Sequence, residues 1–330
     1  MSKLSRVLQL TTAAVAGLAL SAGVMAQQVQ PKPDWPKSLT LGTASVGGTY
    51  FIYGGVIAAL LTERVGVNVS TQQTQGPNQN MILTDAKNVD LGMVTMGVAL
   101  HGWNGTGWAA GKKYNNIRAA FPMYDTPFHF ITSEKSGITS VADMAGKRIG
   151  VGPRAGTCGT YFPLMFDALG MKVTIRNGSA ADMAGQLGDG LIDVFAFCAG
   201  LPISSFSEIE ATRPVRFITF TDKELATVQQ KLPEVSPAVI PKGTYRTLGE
   251  DHKTVGVFNF FVVHKDLPDD LVYEITKAVM ENNPRMVQGH GAAKETLPQN
   301  ADRNTFMPFH PGAVRYFKEK GIALNPKTMP

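Results

Sequence analysis

The chain has 330 residues, 44% apolar and 17% charged, enough nonpolar surface for full cores and too much for a disordered chain. Its length exceeds what one core usually serves and points to two domains. The net charge of +5 falls to +3 without Lys3 and Arg6, and no Lys/Arg cluster with interleaved aromatics occurs, which excludes a nucleic-acid partner.

MSKLSR carries the two early charges, TTAAVAGLALSAGV is an uncharged apolar run, and VMA at 24–26 sets small residues where a signal peptidase needs them. Residues 1–26 read as a secretory signal peptide cleaved after Ala26, with an uncleaved anchor as the alternative. The apolar run is short for a membrane span of ~20 residues. The mature chain is expected to be exported, soluble and monomeric. Residues 27–37, QQVQPKPDWPK, read as an extended, loosely attached leader.

SLTLGTA reads as a strand, SVGGT as a loop and YFIYGGVIAALLTER as a buried helix. VNVSTQQTQ is a strand ending at the turn GPNQN, and NMILTDAKNV is a helix. After Asp90, LGMVTMGVAL reads as one continuous apolar strand. The order then returns: KRIGVG strand, PRAGTCGT loop, YFPLMFDALG helix, KVTIRNG strand, GSAAD turn, MAGQLGDGL helix, and Asp193 before the strand VFAFCAG. GTYF stands at 48–51 and at 159–162, Gly76 matches Gly178, Met81 matches Met183, and IRAAFPMY at 117–124 is echoed by VRFITF at 215–220. Apolar strands alternating with helices imply parallel sheets covered on both faces. FHFITS, followed by a short helix VADMAG with Thr139 or Ser140 as cap, and TVGVFNFFVVHK read as strands crossing between the halves. DLPDDLVYEITKAVMENN and HPGAVRYFKEKG close the chain as helices, the first marked by Asp266 and Pro268.

In open α/β sheets ligands bind beyond the carboxyl ends of the strands. The repeated glycine-rich turns sit there, each before a helix whose first N–H groups favour an anion. Two halves facing each other would enclose a small anionic solute. GVGPRAG is one residue too long for a dinucleotide fingerprint, PRAGTCGT lacks the Gly-Lys of a P-loop, and no HExxH, GxSxG, SxxK or CxxC occurs. The six His show no metal-ligand spacing, so neither a cofactor nor a metal is expected.

LTLGTASVGGTYFIYGG, GPNQN with the later DLGMV, SVADMAGKRIGVG, GQLGDGLIDVFAF, DLPDDLVYEITKAV and FHPGAVRYF together resemble the TAXI-type solute receptors of TRAP transporters. The resemblance covers nearly the whole mature chain. It implies a type II periplasmic-binding-protein fold with two α/β lobes and no catalysis. The receptor closes on a carboxylate such as 2-oxoglutarate or glutamate and delivers it to a cation-driven permease. The lobes would be 38–126 plus 256–330 and 127–255. This chain departs from the pattern with AGTCGTY in the second loop and VTMG at the end of the first apolar strand, which bears on the solute more than on the fold. A receptor feeding a membrane sensor, or an enzyme using Cys158, are the alternatives.

The expected ligand contacts are Ser45, Gly48, Thr49 and Tyr50 in the first loop, Asn78 in the GPNQN turn and Thr95 at a strand end. In the second half they are Arg154 as a bidentate carboxylate clamp, with Thr157, Cys158, Tyr161 and Phe197. Tyr50 and Phe197 have core roles as alternatives, Asn78 and Asn80 a capping role, and Arg154 a solvated one. Cys158 and Cys198 are either a disulfide or two small buried thiols. His129 is a crossover residue with a structural reading, and His310 orders the turn before the last helix.

Overall fold

A computed structural model describes residues 29–330, so the signal-peptide reading lies outside the described residues. The first half comprises β1 (Ser38–Gly42), α1 (Thr49–Val65), β2 (Asn68–Gln72), α2 (Pro77–Asp85), β3 (Leu91–Thr95) and α3 (Met96–Asn104). A long strand, β4 (Ile117–Ser133), leads to β5 (Arg148–Gly150), α4 (Thr157–Ala168), β6 (Thr174–Arg176), α5 (Ala180–Gly188) and β7 (Val194–Cys198). Then follow α6 (Ser204–Thr212), β8 (Val215–Ile218), α7 (Asp222–Lys231), β9 (Ser236–Ile240), β10 (His252–His264), α8 (Asp269–Met280), α9 (Asn283–Gly289) and α10 (Pro311–Glu319).

β1 pairs in parallel with β2 and β3, and β5 in parallel with β6 and β7, which is the repeated unit seen in the sequence. The sheets are not wholly parallel, however. β10 runs antiparallel to β3 and β4, and β4 antiparallel to β7 and β8. β4 unites what the sequence separated into IRAAFPMY and FHFITS, because the intervening residues 125–127 keep the strand going, with Thr126 and Pro127 buried and pairing with β10. Its first part pairs with β10 and its last part with β7 and β8, so one strand serves both halves.

Two cores result. One joins residues 35–124 to 258–317 (lobe I), and the other is built from 128–257 with Val98 (lobe II). Among the described residues only β4 and β10 cross between them.

Two expectations need correction. LGMVTMGVAL is a strand only to Thr95, and Met96 begins α3. An apolar run buried on all sides does not by itself distinguish strand from helix. The leader is not loosely attached, since Trp35 is buried in the lobe I core and the Val29 N–H donates to the Arg64 carbonyl at the end of α1.

His129, beside the crossing point, has a structural role. Its Nδ1–H donates to the Pro127 carbonyl at 2.8 Å, which fixes the tautomer, and the Tyr245 hydroxyl faces Nε2 at 3.4 Å. Burial pushes its pKa down to about 3. The unfolded chain binds this proton near pH 6.5 and the folded one does not, so stability rises with pH between those values. Wild-type protein is expected to lose roughly 3 kcal/mol more than His129→Gln between pH 6.5 and 4 in urea unfolding. Parallel curves would show that His129 does not carry this acid sensitivity.

Candidate interlobe binding site

The two repeated loops stand face to face across the lobes. Gly76, which caps α2, has φ +124°, a conformation that side chains rarely adopt. A Cβ there would lie 3.1 Å from the Gly156 Cα of the opposite loop. The walls therefore meet backbone to backbone. Hydrogen bonds close the seam: Thr49 Oγ1 donates to the Gly200 carbonyl at 2.6 Å, and Thr95 pairs with Thr157 at 3.1 Å. Asn78 Nδ2 donates to Thr160 Oγ1 at 3.1 Å, and Ser204 Oγ donates to the Gly47 carbonyl at 3.1 Å. This is a closed two-lobe arrangement.

Between the loops lies a cavity of about 50 Å³, room for roughly four waters. Lobe I lines it with Ser45, Gly48, Thr49, Tyr50 and Thr95, and lobe II with Thr157, Cys158 and Phe197. These eight residues are brought together as the sequence suggested. Three others are not. Arg154 is exposed and lies outside the lining, because the contact of Gly76 with Gly156 leaves no space for a long side chain to turn inward. Asn78 is buried in the lobe seam. Tyr161 lies behind the wall, its ring stacked on His101 at 6.1 Å. Neither Asn78 nor Asn80 caps α2; Asn80 donates to the Thr43 and Met93 carbonyls and ties β1 to β3.

The sequence reading missed Asn259, Thr126 and Gln75. Asn259 is fully buried in β10, where its Oδ1 accepts the Tyr50 hydroxyl at 2.5 Å and its Nδ2 donates to the Tyr124 carbonyl and Thr126 Oγ1. A lone amide inside the apolar run VGVFNFFVV was the available signal, since buried polar groups are bonded and placed for a reason.

Cys158 and Cys198 form a disulfide in the cavity wall, with Cα atoms 5.6 Å apart. Its sulfur is thus not a free nucleophile, which removes the basis for the Cys158 enzyme reading.

The electrostatics of the cavity come from the backbone. α1, α2, α3 and α4 all begin at its wall with Gly48, Gly76, Thr95 and Gly156 as N-caps. None has a side-chain cap bond, and none has an acidic residue in its first turn. α5 and α7, which do not line the cavity, are closed by complete capping boxes from Ser179 and Thr221. All four helix ends at the cavity are therefore left open, as are those of α6 and α9 away from it.

A second interlobe tie stands behind α3. His101 Nε2 lies 3.1 Å from Glu234 Oε1, and this hydrogen bond holds the Glu234 carboxyl below its usual range. Burial, joined by the Glu234 charge, pushes the Tyr161 hydroxyl well up. A larger groove of about 930 Å³ is lined entirely by lobe II residues at 134, 210–217, 246–250 and 252, so lobe closure does not form it. Among the described residues no cluster of His, Cys, Asp and Glu is placed to hold a metal, and no helix is long and apolar enough to cross a membrane.

The architecture is similar to solved structures of low sequence identity. A periplasmic transporter gives a TM-score of 0.54 at 15% identity, over 88% of this chain and 93% of the other. Rpa4515 of R. palustris, solved with adipate, gives 0.52 at 19% identity over 77% and 87%. Tv2483 bound to L-arginine gives 0.50 at 13% identity over 79% and 92%. These likenesses establish the two-lobed α/β fold of periplasmic binding proteins. Residues 41–321 match the NMT1-like family, and the chain belongs to that family.

Proposed function

We propose that this protein is an exported, non-catalytic solute receptor of the TAXI type, which encloses a small carboxylate between its lobes and hands it to a TRAP-type permease. The observation that carries the reading is the set of four uncapped helix N-termini around one interlobe cavity. Their first-turn N–H groups have no partner within their own helices and suit an anionic group. That a protein of this fold was solved with adipate agrees with a carboxylate ligand. The mechanism is closure about β4 and β10, with the lobes dividing at 126/127 and 255/256. Ligand favours the closed form because it touches both walls.

The test is a thermal-shift panel on mature protein that has been unfolded, stripped of carried ligand and refolded. A carboxylate at a thousand times its Kd is expected to add about 4 kcal/mol of stability and to raise the midpoint by several degrees. Shifts confined to neutral or cationic solutes would keep the receptor and overturn the carboxylate class.

A further inference from the structure

We infer that the cavity selects carboxylates that carry no ammonium group and discriminates against amino acids; this rests on the carboxylate reading above. The lining contains no Asp, Glu, Lys or Arg. More telling is the balance of donors and acceptors. A carboxylate needs donors and an ammonium needs three acceptors.

Most side-chain oxygens of the wall are already engaged. Asn259 Oδ1 takes the Tyr50 hydroxyl, and Thr126 Oγ1 takes Asn259 Nδ2. Gln75 Oε1 takes the Ala155 N–H at 3.4 Å, and Ser45 Oγ the Ala180 N–H at 3.4 Å. The Thr95 and Thr157 hydroxyls are paired with each other. Thr49 spends its proton on the Gly200 carbonyl. The groups that no side chain engages are the first-turn N–H groups of α1 and α4, which only donate, and the acceptors that remain, such as the Thr49 hydroxyl lone pairs, are neutral. An ammonium enclosed here would be a buried charge with no counter-charge, a costly arrangement. A site matched to one set of polar groups rejects a misfit far more strongly than it rejects a change of size.

The experiment measures calorimetric Kd values for size-matched pairs on the stripped, refolded protein: 2-oxoglutarate against L-glutamate, adipate against L-2-aminoadipate, and pyruvate against L-alanine. In every pair that binds, the acid without nitrogen is expected to be at least ~100-fold tighter. An amino acid binding as tightly as its partner overturns this inference and leaves the carboxylate receptor standing. No binding by any acid overturns the carboxylate reading, and this inference with it. A second arm uses Gln75→Glu, which keeps an acceptor for Ala155 and adds a carboxylate to the wall. It is expected to narrow the ratio within a binding pair at least ~10-fold. An unchanged ratio in a folded variant overturns the donor–acceptor argument.

Discussion

Gly97→Ala is expected to give a folded receptor that closes poorly. Gly97 lies in the first turn of α3, and a Cβ there would stand 2.2 Å from Tyr161 Oη and 3.0 Å from its Cζ on the opposite lobe. The Tyr161 ring has little room to retreat, being fully buried between His101 and Phe128. Within lobe I the change is favourable, since alanine is a better helix former than glycine by about 1 kcal/mol. The clash exists only when the lobes meet. Overpacking of this kind costs about 1–3 kcal/mol, which falls on the closed state and lowers solute affinity roughly 5- to 150-fold. Calorimetry supplies the affinity, and circular dichroism with thermal melting of the free protein supplies the control. Unchanged affinity would mean that solute binding does not require the interlobe contact seen here.

Removing the disulfide is the second large effect. Cys158 and Cys198 are 40 residues apart in sequence and join the first turn of α4 to the end of β7. In the chain-entropy account a closed loop of that length is worth about 4 kcal/mol. The Cys158→Ser/Cys198→Ser double variant is expected to melt roughly 8 °C lower than wild type. Wild-type protein reduced with a dithiol should match it. Solute affinity should fall as well, because the α4 terminus that lines the cavity loses its tether. Equal melting points, with both thiols shown free in reduced wild type, would exclude a stabilising role.

The parts of the structure legible in the sequence were those written as backbone constraints. The doubled GTYF phrase, the matched glycines and the paired Asp90 and Asp193 gave the two parallel units and the loops that face each other. Both aspartates accept backbone N–H groups at their sheets, from Thr40 and from Arg148. What stayed hidden depended on tertiary closure. Arg154 looked like a clamp because it sits among glycines, but those glycines serve close approach of the two loops and leave it outside. Asn259 was invisible as a site residue because it lies in β10, far in sequence from both loops, and reaches the cavity only through the crossing of strands. The turn from β3 into α3 at Thr95 was hidden because strand and helix are equally buried there.

The two crossing strands also set an order of assembly. The lobe II core is drawn almost entirely from residues 128–257, whereas the lobe I core needs residues on both sides of that stretch. A chain delivered N-terminus first can finish lobe II with the first part of β10 while lobe I still lacks residues 258–264, the part of β10 that pairs with both β3 and β4. Until residue 264 arrives, β3 and the first part of β4 present open apolar edges, which are templates for pairing with other chains. The interval between the emergence of β4 and that of β10 is therefore when this protein is most exposed to aggregation, and when a holding chaperone has the most to protect.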